Sequence, residues 1–301
     1  MAADLLNLEI ADINFITRCN TEVTVHPPPP LYLPFLNNAG AAKCSLTVRV
    51  TLDLQNMPDV KNMTKIFDSE ESWSMYKHID EYIMTLNPPV LDNQTVWMAR
   101  ISKNSADVTV YCSDMLKVSA EGHTKVLNPL LYPLDQLLVI HILSQKDGAL
   151  VHAAGVHFRE KGYIFPGRSG AGKSTISNQF AGRKLWELLS DDRIAIRKMN
   201  NTFMAYGTPW AGEAGIAENK KTILSGIFFL HQGSENVIKE ISPGEAFERL
   251  MPVTSVPWYD EGMMTGVLSL CEDMVSRIPS FDLFFRPDSE IVNLLEEYAS
   301  A

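Results

Sequence analysis

The segment Gly167-Arg168-Ser169-Gly170-Ala171-Gly172-Lys173-Ser174-Thr175 has the residue types and order needed to hold a chain of phosphates. It matches the pattern G-x-x-x-x-G-K-[ST]. Glycines let the main chain turn so that successive N–H groups converge on anionic oxygens. A helix starting just after them adds the positive end of its dipole. Lys173 supplies a mobile point charge for the outer phosphates, and Ser174 offers a hydroxyl to Mg²⁺. An apolar run at 163–165 precedes the loop and a helical segment follows it, which is the context the pattern requires.

About 17 residues beyond Ser174 stand Asp191 and Asp192, at the end of a second apolar run. A carboxylate there can hold Mg²⁺ directly or through water. Its neighbour, with a pKa raised by the adjacent like charge, can take the proton of an attacking hydroxyl. Strand alternation would point the two side chains in different directions, one to metal and one to substrate. His152 lies in the apolar stretch 149–156, where a core histidine with a satisfied hydrogen bond is the ordinary reading. The stretch 207–215 is too rich in glycine and proline for regular structure and carries one carboxylate, Glu213, so it reads as a turn or as a substrate or metal loop. Lys220 and Lys221 are surface charges that would matter only beside a phosphate site.

The elements that must position these groups follow from punctuation and periodicity. Strands are expected at 149–158, 163–166, 185–190, 194–199, 202–206, 225–230 and 281–285, with helices at 173–181, 258–277 and 289–298. Asn200-Asn201 marks a tight hairpin turn. Ser242-Pro243-Gly244-Glu245 is a helix start in which Ser242 caps and Glu245 reaches back. Residues 1–125 alternate short apolar runs with turn residues and read as a β-rich domain, with strands at 10–17, 45–54, 82–86, 96–101 and 106–112. The prolines at 27–30 exclude a central strand there. A helix at 130–144 joins the halves, so the expected organisation is 1–125 β-rich, 126–148 connecting helix and 149–301 P-loop domain.

Of the 301 residues, 46% are hydrophobic and 21% charged, which suits a packed core and not disorder. A net charge of −10 argues against nucleic acid and against anionic membranes, both of which need clustered Lys and Arg. The first nine residues do not read as a secretory signal, no stretch has the roughly 20 apolar residues of a membrane span, and Cys19, Cys44, Cys112 and Cys271 are too scattered for a metal pattern. A cytoplasmic protein with reduced thiols is expected.

The ordered set Val151-His152-Ala153-Ala154-Gly155, the phosphate loop, Leu189-Ser190-Asp191-Asp192-Arg193 and the loop from Gly207 to Glu213 resembles the kinase domain of HPr kinase/phosphorylase and its relatives. These share a phosphoenolpyruvate carboxykinase-like fold. The resemblance runs over about 149–298, and the segments 228–233 and 241–246 are similar to an uncharacterised branch of that group. It implies an α/β fold with a mixed sheet, binding of ATP and Mg²⁺, and transfer of the γ-phosphate to an unknown hydroxyl on a protein, peptide or small molecule. It further implies that Gly167 to Thr175 hold the nucleotide, that Asp191 is the general base, that Ser174, Asp192 and Glu213 serve the metal, and that His152 and Lys173 act beside them. Homo-oligomers are a further implication. The same cradle would also serve an NTPase or nucleotide switch without an acceptor.

Overall fold

A computed structural model of the chain describes residues 4–37, 44–54, 57–70, 72–120 and 123–300. It divides into two units, 1–136 and 137–301. The division falls inside the helix Leu134–Ser144, whose start lies after the prolines at 129 and 133 and not at 130 as the sequence suggests.

The first unit is built on an eight-stranded sheet. Its spatial order is Asp4–Ile10, Ile13–Cys19, Leu46–Asp53, Asp107–Cys112, Trp97–Ile101, Glu81–Leu86, Trp73–His78 and Thr64–Asp68. The expected strand at 10–17 is instead the junction of two strands. Ala11 and Asp12 both take left-handed conformations (φ 54° and 57°) and make a two-residue hairpin turn with no glycine to announce it. A small second sheet joins Lys117–Ala120, His123–Val126 and Thr24–Val25. Residues 27–29 are not strand, and a short 3-10 helix, Pro30–Phe35, follows them. The core is made by alternate side chains of the strands, among them Ile13, Phe15, Val48 and Leu52, each 0–1% exposed.

The second unit is a mixed sheet with helices on both faces, so the molecule is of the mixed α/β class. Gly148–Phe158 is its organising strand and is buried almost throughout, as a strand covered on both faces must be. It pairs antiparallel with Lys161–Pro166, with Trp186–Ser190 and, nearer its start, with Arg193–Met199. The Asn200-Asn201 hairpin (φ 48° and 65°) leads to Thr202–Tyr206. Lys221–Gln232 then runs parallel to both Lys161–Pro166 and Ser280–Phe285. It extends beyond the expected 225–230 because Thr222 interrupts the apolar run while still pairing with Ala205, and the irregularity opposite Ser225 shifts the register without ending the strand.

One face packs Val151, Ala153, Ile194 and Ile196 against the helices Pro243–Leu250 and Glu261–Arg277. The other packs Ala154, Val156, Phe165 and Phe228 against Lys173–Phe180 and Glu290–Ser300. Glu261–Arg277 begins three residues later than expected, since the cap is Asp260, whose carboxylate accepts the N–H of Met263 at 3.0 Å. The Ser242 capping box forms as the sequence suggests, with both reciprocal bonds present. Among the described residues no helix is long and apolar enough to cross a membrane.

His141, fully buried in Leu134–Ser144, contacts the Tyr259 hydroxyl through Nδ1 at 3.0 Å and the Gln145 amide through Nε2 at 3.1 Å. Burial pushes its imidazole down from 6.5 to about 4, against the pull of Asp260. The folded state therefore resists protonation that the unfolded chain accepts. Its contribution is complete above pH 6.5 and is lost as pH falls toward about 4. The expected loss is on the order of 3 kcal/mol, and His141→Gln flattens the urea-midpoint profile in that window. Separately, Ser242→Ala lowers stability by about 1 kcal/mol in the same assay.

Candidate active site

Two main-chain bonds bring the phosphate loop and the acidic pair together. Gly167 N–H donates to His152 C=O at 3.0 Å, and Ala153 N–H donates to Asp192 C=O at 3.0 Å. Consecutive residues of Gly148–Phe158 thus tie down the loop that leaves Lys161–Pro166 and the turn that leaves Trp186–Ser190. These strands are two of the antiparallel partners of Gly148–Phe158.

The loop takes the shape its glycines permit. Gly170 and Gly172 have φ of 82° and 100°. A Cβ at Gly172 would also stand 2.9 Å from the Phe285 ring. Lys173–Phe180 starts directly after Gly172 with no side-chain cap, so its first N–H groups remain for a ligand. The Lys173 side chain is buried and its ammonium donates to the carbonyls of Gly167 (3.0 Å) and Arg168 (3.3 Å). Burial draws its pKa down, while Asp192 opposes the shift.

A cleft of ≈ 520 Å³ lies over this loop, within the range of small-molecule sites. Ser169, Gly170, Gly172, Lys173, Ser174 and Thr175 line it, whereas Gly167, Arg168 and Ala171 shape the turn from outside. Across from them the cleft is lined by His152, Asp192 and Glu213. His152 Nε2 is 2.7 Å from Asp192 Oδ1, Lys173 Nζ is 3.6 Å from the same oxygen, and Arg193 donates to Oδ2 at 2.7 Å. Burial alone would raise the Asp192 pKa, but His152, Arg193 and Lys173 outweigh it and hold the carboxyl below its usual range. It is ionised at neutral pH.

Asp191 is placed differently from the sequence expectation of a general base. It is 1% exposed and does not line the cleft. Its oxygens accept three main-chain N–H groups, from Gly212 (2.9 Å), Ala214 (2.7 Å) and Ile216 (3.2 Å). The two carboxylates do point apart, but from the bend between Trp186–Ser190 and Arg193–Met199 and not from a strand; the one facing the cleft is Asp192, and the other organises the loop that carries Glu213. That loop comes close: a Cβ at Gly212 would be 3.1 Å from both Asp191 Oδ2 and Asp192 Cβ, and one at Gly207 would strike the Glu218 and Leu189 carbonyl oxygens at 2.1 and 2.6 Å. Trp210 is buried beneath it.

Lys220 pairs with Glu187 and does not reach the cleft, and Lys221 lies over the Tyr206 ring. Arg193, quoted with the acidic pair in the sequence, does not line the cleft but acts on it through Asp192 Oδ2. One cleft side chain escaped the sequence reading. Gln232 ends a buried strand beside the phosphate loop, and the only signal is its place at that strand's C-terminal end.

The groups present suit a nucleotide with Mg²⁺. Among the described residues no cluster of three or more His, Cys, Asp or Glu side chains could hold a metal alone. Mg²⁺ ordinarily takes only one or two carboxylates and completes its shell with phosphates and water. No protein-family model matches the chain, and no curated protein matches it. Among solved structures the chain is similar to the Hpr(Ser) kinase/phosphatase from Coxiella burnetii, at 12% identity over 50% of this chain and 99% of that chain, with a TM-score of 0.31. That likeness is too slight to bear on activity.

Asp191→Asn replaces an acceptor of three N–H groups by a side chain with one acceptor and a clashing NH₂. It is expected to cost roughly 2–3 kcal/mol in denaturant unfolding and to loosen the 207–216 loop in hydrogen exchange.

Proposed function

We propose that this chain is an ATP- and Mg²⁺-dependent phosphotransferase that passes the γ-phosphate to a hydroxyl of a protein, peptide or small molecule. The observation that carries the reading is the Asp192 carboxylate. It faces the phosphate loop 3.6 Å from the Lys173 ammonium and is hydrogen-bonded to His152 inside one cleft. On this reading the phosphates lie on the uncapped start of Lys173–Phe180, and Lys173 turns from the Gly167 and Arg168 carbonyls to the outer phosphates. Ser174 with Asp192 and Glu213 would hold Mg²⁺, which supplies neutralisation of charge on the transferring group. The proton of the acceptor hydroxyl goes to the His152–Asp192 pair, while Asp191 fixes the loop above it. Positioning and charge supply most of the acceleration, because phosphoryl transfer asks little covalent chemistry of a protein.

Within this proposal residues 149–301 form the catalytic domain and the β-rich half meets the acceptor or a partner. The protein works in the cytoplasm and, as the family resemblance suggests, in a homo-oligomer; it acts without nucleic acid or membrane, which its charge of −10 disfavours. A second reading, an NTPase or nucleotide switch, draws on Gln232, since a carboxamide in the cleft is the type of group that orients an attacking water.

With labelled ATP and Mg²⁺, screening against peptides, sugars and metabolites yields a labelled acceptor. Asp192→Asn leaves ATP affinity within a few-fold while transfer falls by about 100-fold or more. Phosphate released at the same rate with and without every acceptor would select the hydrolytic reading. Transfer at the wild-type rate by Asp192→Asn would remove the assigned role.

A further inference from the structure

Asp192 stands in the bend after Trp186–Ser190, so no strand geometry fixes the direction of its side chain. It is half-buried, with a side chain 26% exposed, and water competes for both of its oxygens. A carboxylate that faces the phosphate loop from such a place needs a restraint.

The ladder beside it supplies one. His152 and Arg193 stand directly opposite each other where Gly148–Phe158 pairs with Arg193–Met199. Their side chains therefore rise from the same face, with Cβ atoms about 5 Å apart. Each takes one oxygen of the same carboxylate. His152 Nε2 lies 2.7 Å from Asp192 Oδ1, and Arg193 donates to Oδ2 at 2.7 Å.

The same Arg193 nitrogen also donates to the Asp192 main-chain carbonyl at 3.1 Å. That carbonyl already accepts the Ala153 N–H, so it is a fixed point. One guanidinium nitrogen thus bridges a fixed main-chain atom and the end of the side chain, closing a ring that includes both Asp192 side-chain torsions. Arg193 is anchored in turn by Thr208, which is fully buried and donates its hydroxyl to the Arg193 carbonyl at 2.7 Å. Among the described residues the guanidinium makes no other hydrogen bond or ion pair.

The two oxygens are left with different surroundings. Oδ2 is taken by Arg193, whereas Oδ1 is turned to the phosphate loop, 3.6 Å from Lys173 Nζ. Arg193 itself does not line the cleft, so its effect passes through the carboxylate. Without the guanidinium the carboxylate is free to rotate and exchange its oxygens. A misplacement of about 1 Å is enough to slow a positioned reaction about 100-fold. Lysine is no equal substitute, because its ammonium is a point donor on a flexible stem and the guanidinium is a rigid fork.

We propose that Arg193 is a positioning residue for phosphoryl transfer, which locks the Asp192 carboxylate so that Oδ1 alone faces the phosphate loop. The assignment rests on the phosphotransferase reading and adds a residue to which that reading gives no part.

The test compares wild type with Arg193→Ala and Arg193→Lys in two assays. One is calorimetric titration with a non-hydrolysable ATP analogue and Mg²⁺, and the other is single-turnover transfer of phosphate from ATP to an acceptor or to water. Arg193→Ala is expected to bind the analogue within about threefold of wild type and to lose about 100-fold in transfer rate. Guanidinium ion at millimolar concentration restores at least about tenfold of that loss and leaves wild type unchanged, a recovery that a misfolded variant would not show. Arg193→Lys keeps the stem and the charge, so it carries the same comparison should the alanine variant not fold. Its rate is expected to fall by about tenfold at unchanged affinity. A tenfold or larger fall in analogue affinity in either variant would overturn the proposal, by showing that the guanidinium grips phosphate directly. A wild-type transfer rate in either variant, or a loss in Arg193→Ala that guanidinium leaves untouched, overturns it too and leaves the phosphotransferase reading standing. A wild-type chain that neither binds the analogue nor releases phosphate removes both.

Discussion

The arrangement of the second unit depends on two hydrogen bonds made by adjacent residues of one strand. The His152 carbonyl holds the first residue of the glycine loop, and the Ala153 N–H holds the main chain of Asp192. Both bonds lie in a buried strand, where leaving either group unpaired would be costly. The spacing of loop and carboxylate is therefore set by the ladder rather than by flexible side chains. His152 belongs to the same point of the strand, so its imidazole reaches Asp192 without any further device.

The electrostatics follow from that closeness. Asp192 is drawn partly out of water, which disfavours its charge, and three cationic or hydrogen-bonding partners more than compensate. Lys173 pays the converse penalty: buried without a phosphate, it leans on two loop carbonyls and one carboxylate. These are weak substitutes for a polyphosphate, whose arrival would relieve the desolvated ammonium and satisfy the open start of Lys173–Phe180 at once. Asp191 has a separate duty. By accepting three N–H groups it folds a stretch rich in glycine and proline against the mouth of the cleft.

Much of the second unit was legible in the sequence because its signals are local. The glycine pattern, the Asn200-Asn201 turn and the Ser242 capping box each specify a backbone shape within a few residues, and each forms as expected. Which of the two aspartates faces the cleft was not legible. Alternation says only that they diverge, and the choice depends on where the 207–216 loop docks, a contact remote in sequence. Gln232 was hidden for the same reason. In the first unit, the edge strand Thr64–Asp68 and its neighbour Trp73–His78 escaped notice because both mix polar and aromatic residues, and the Ala11-Asp12 turn escaped because its left-handed pair lacks glycine.

The central claim is that the glycine loop and Asp192 enclose a site for a metal-bound triphosphate. Calorimetric titration of ATP into the full chain, with and without Mg²⁺, tests it most directly. The account predicts saturable binding at one site, strengthened by Mg²⁺ and abolished by Lys173→Met. Absence of binding in the wild-type protein, or affinity unchanged by Lys173→Met, would contradict it.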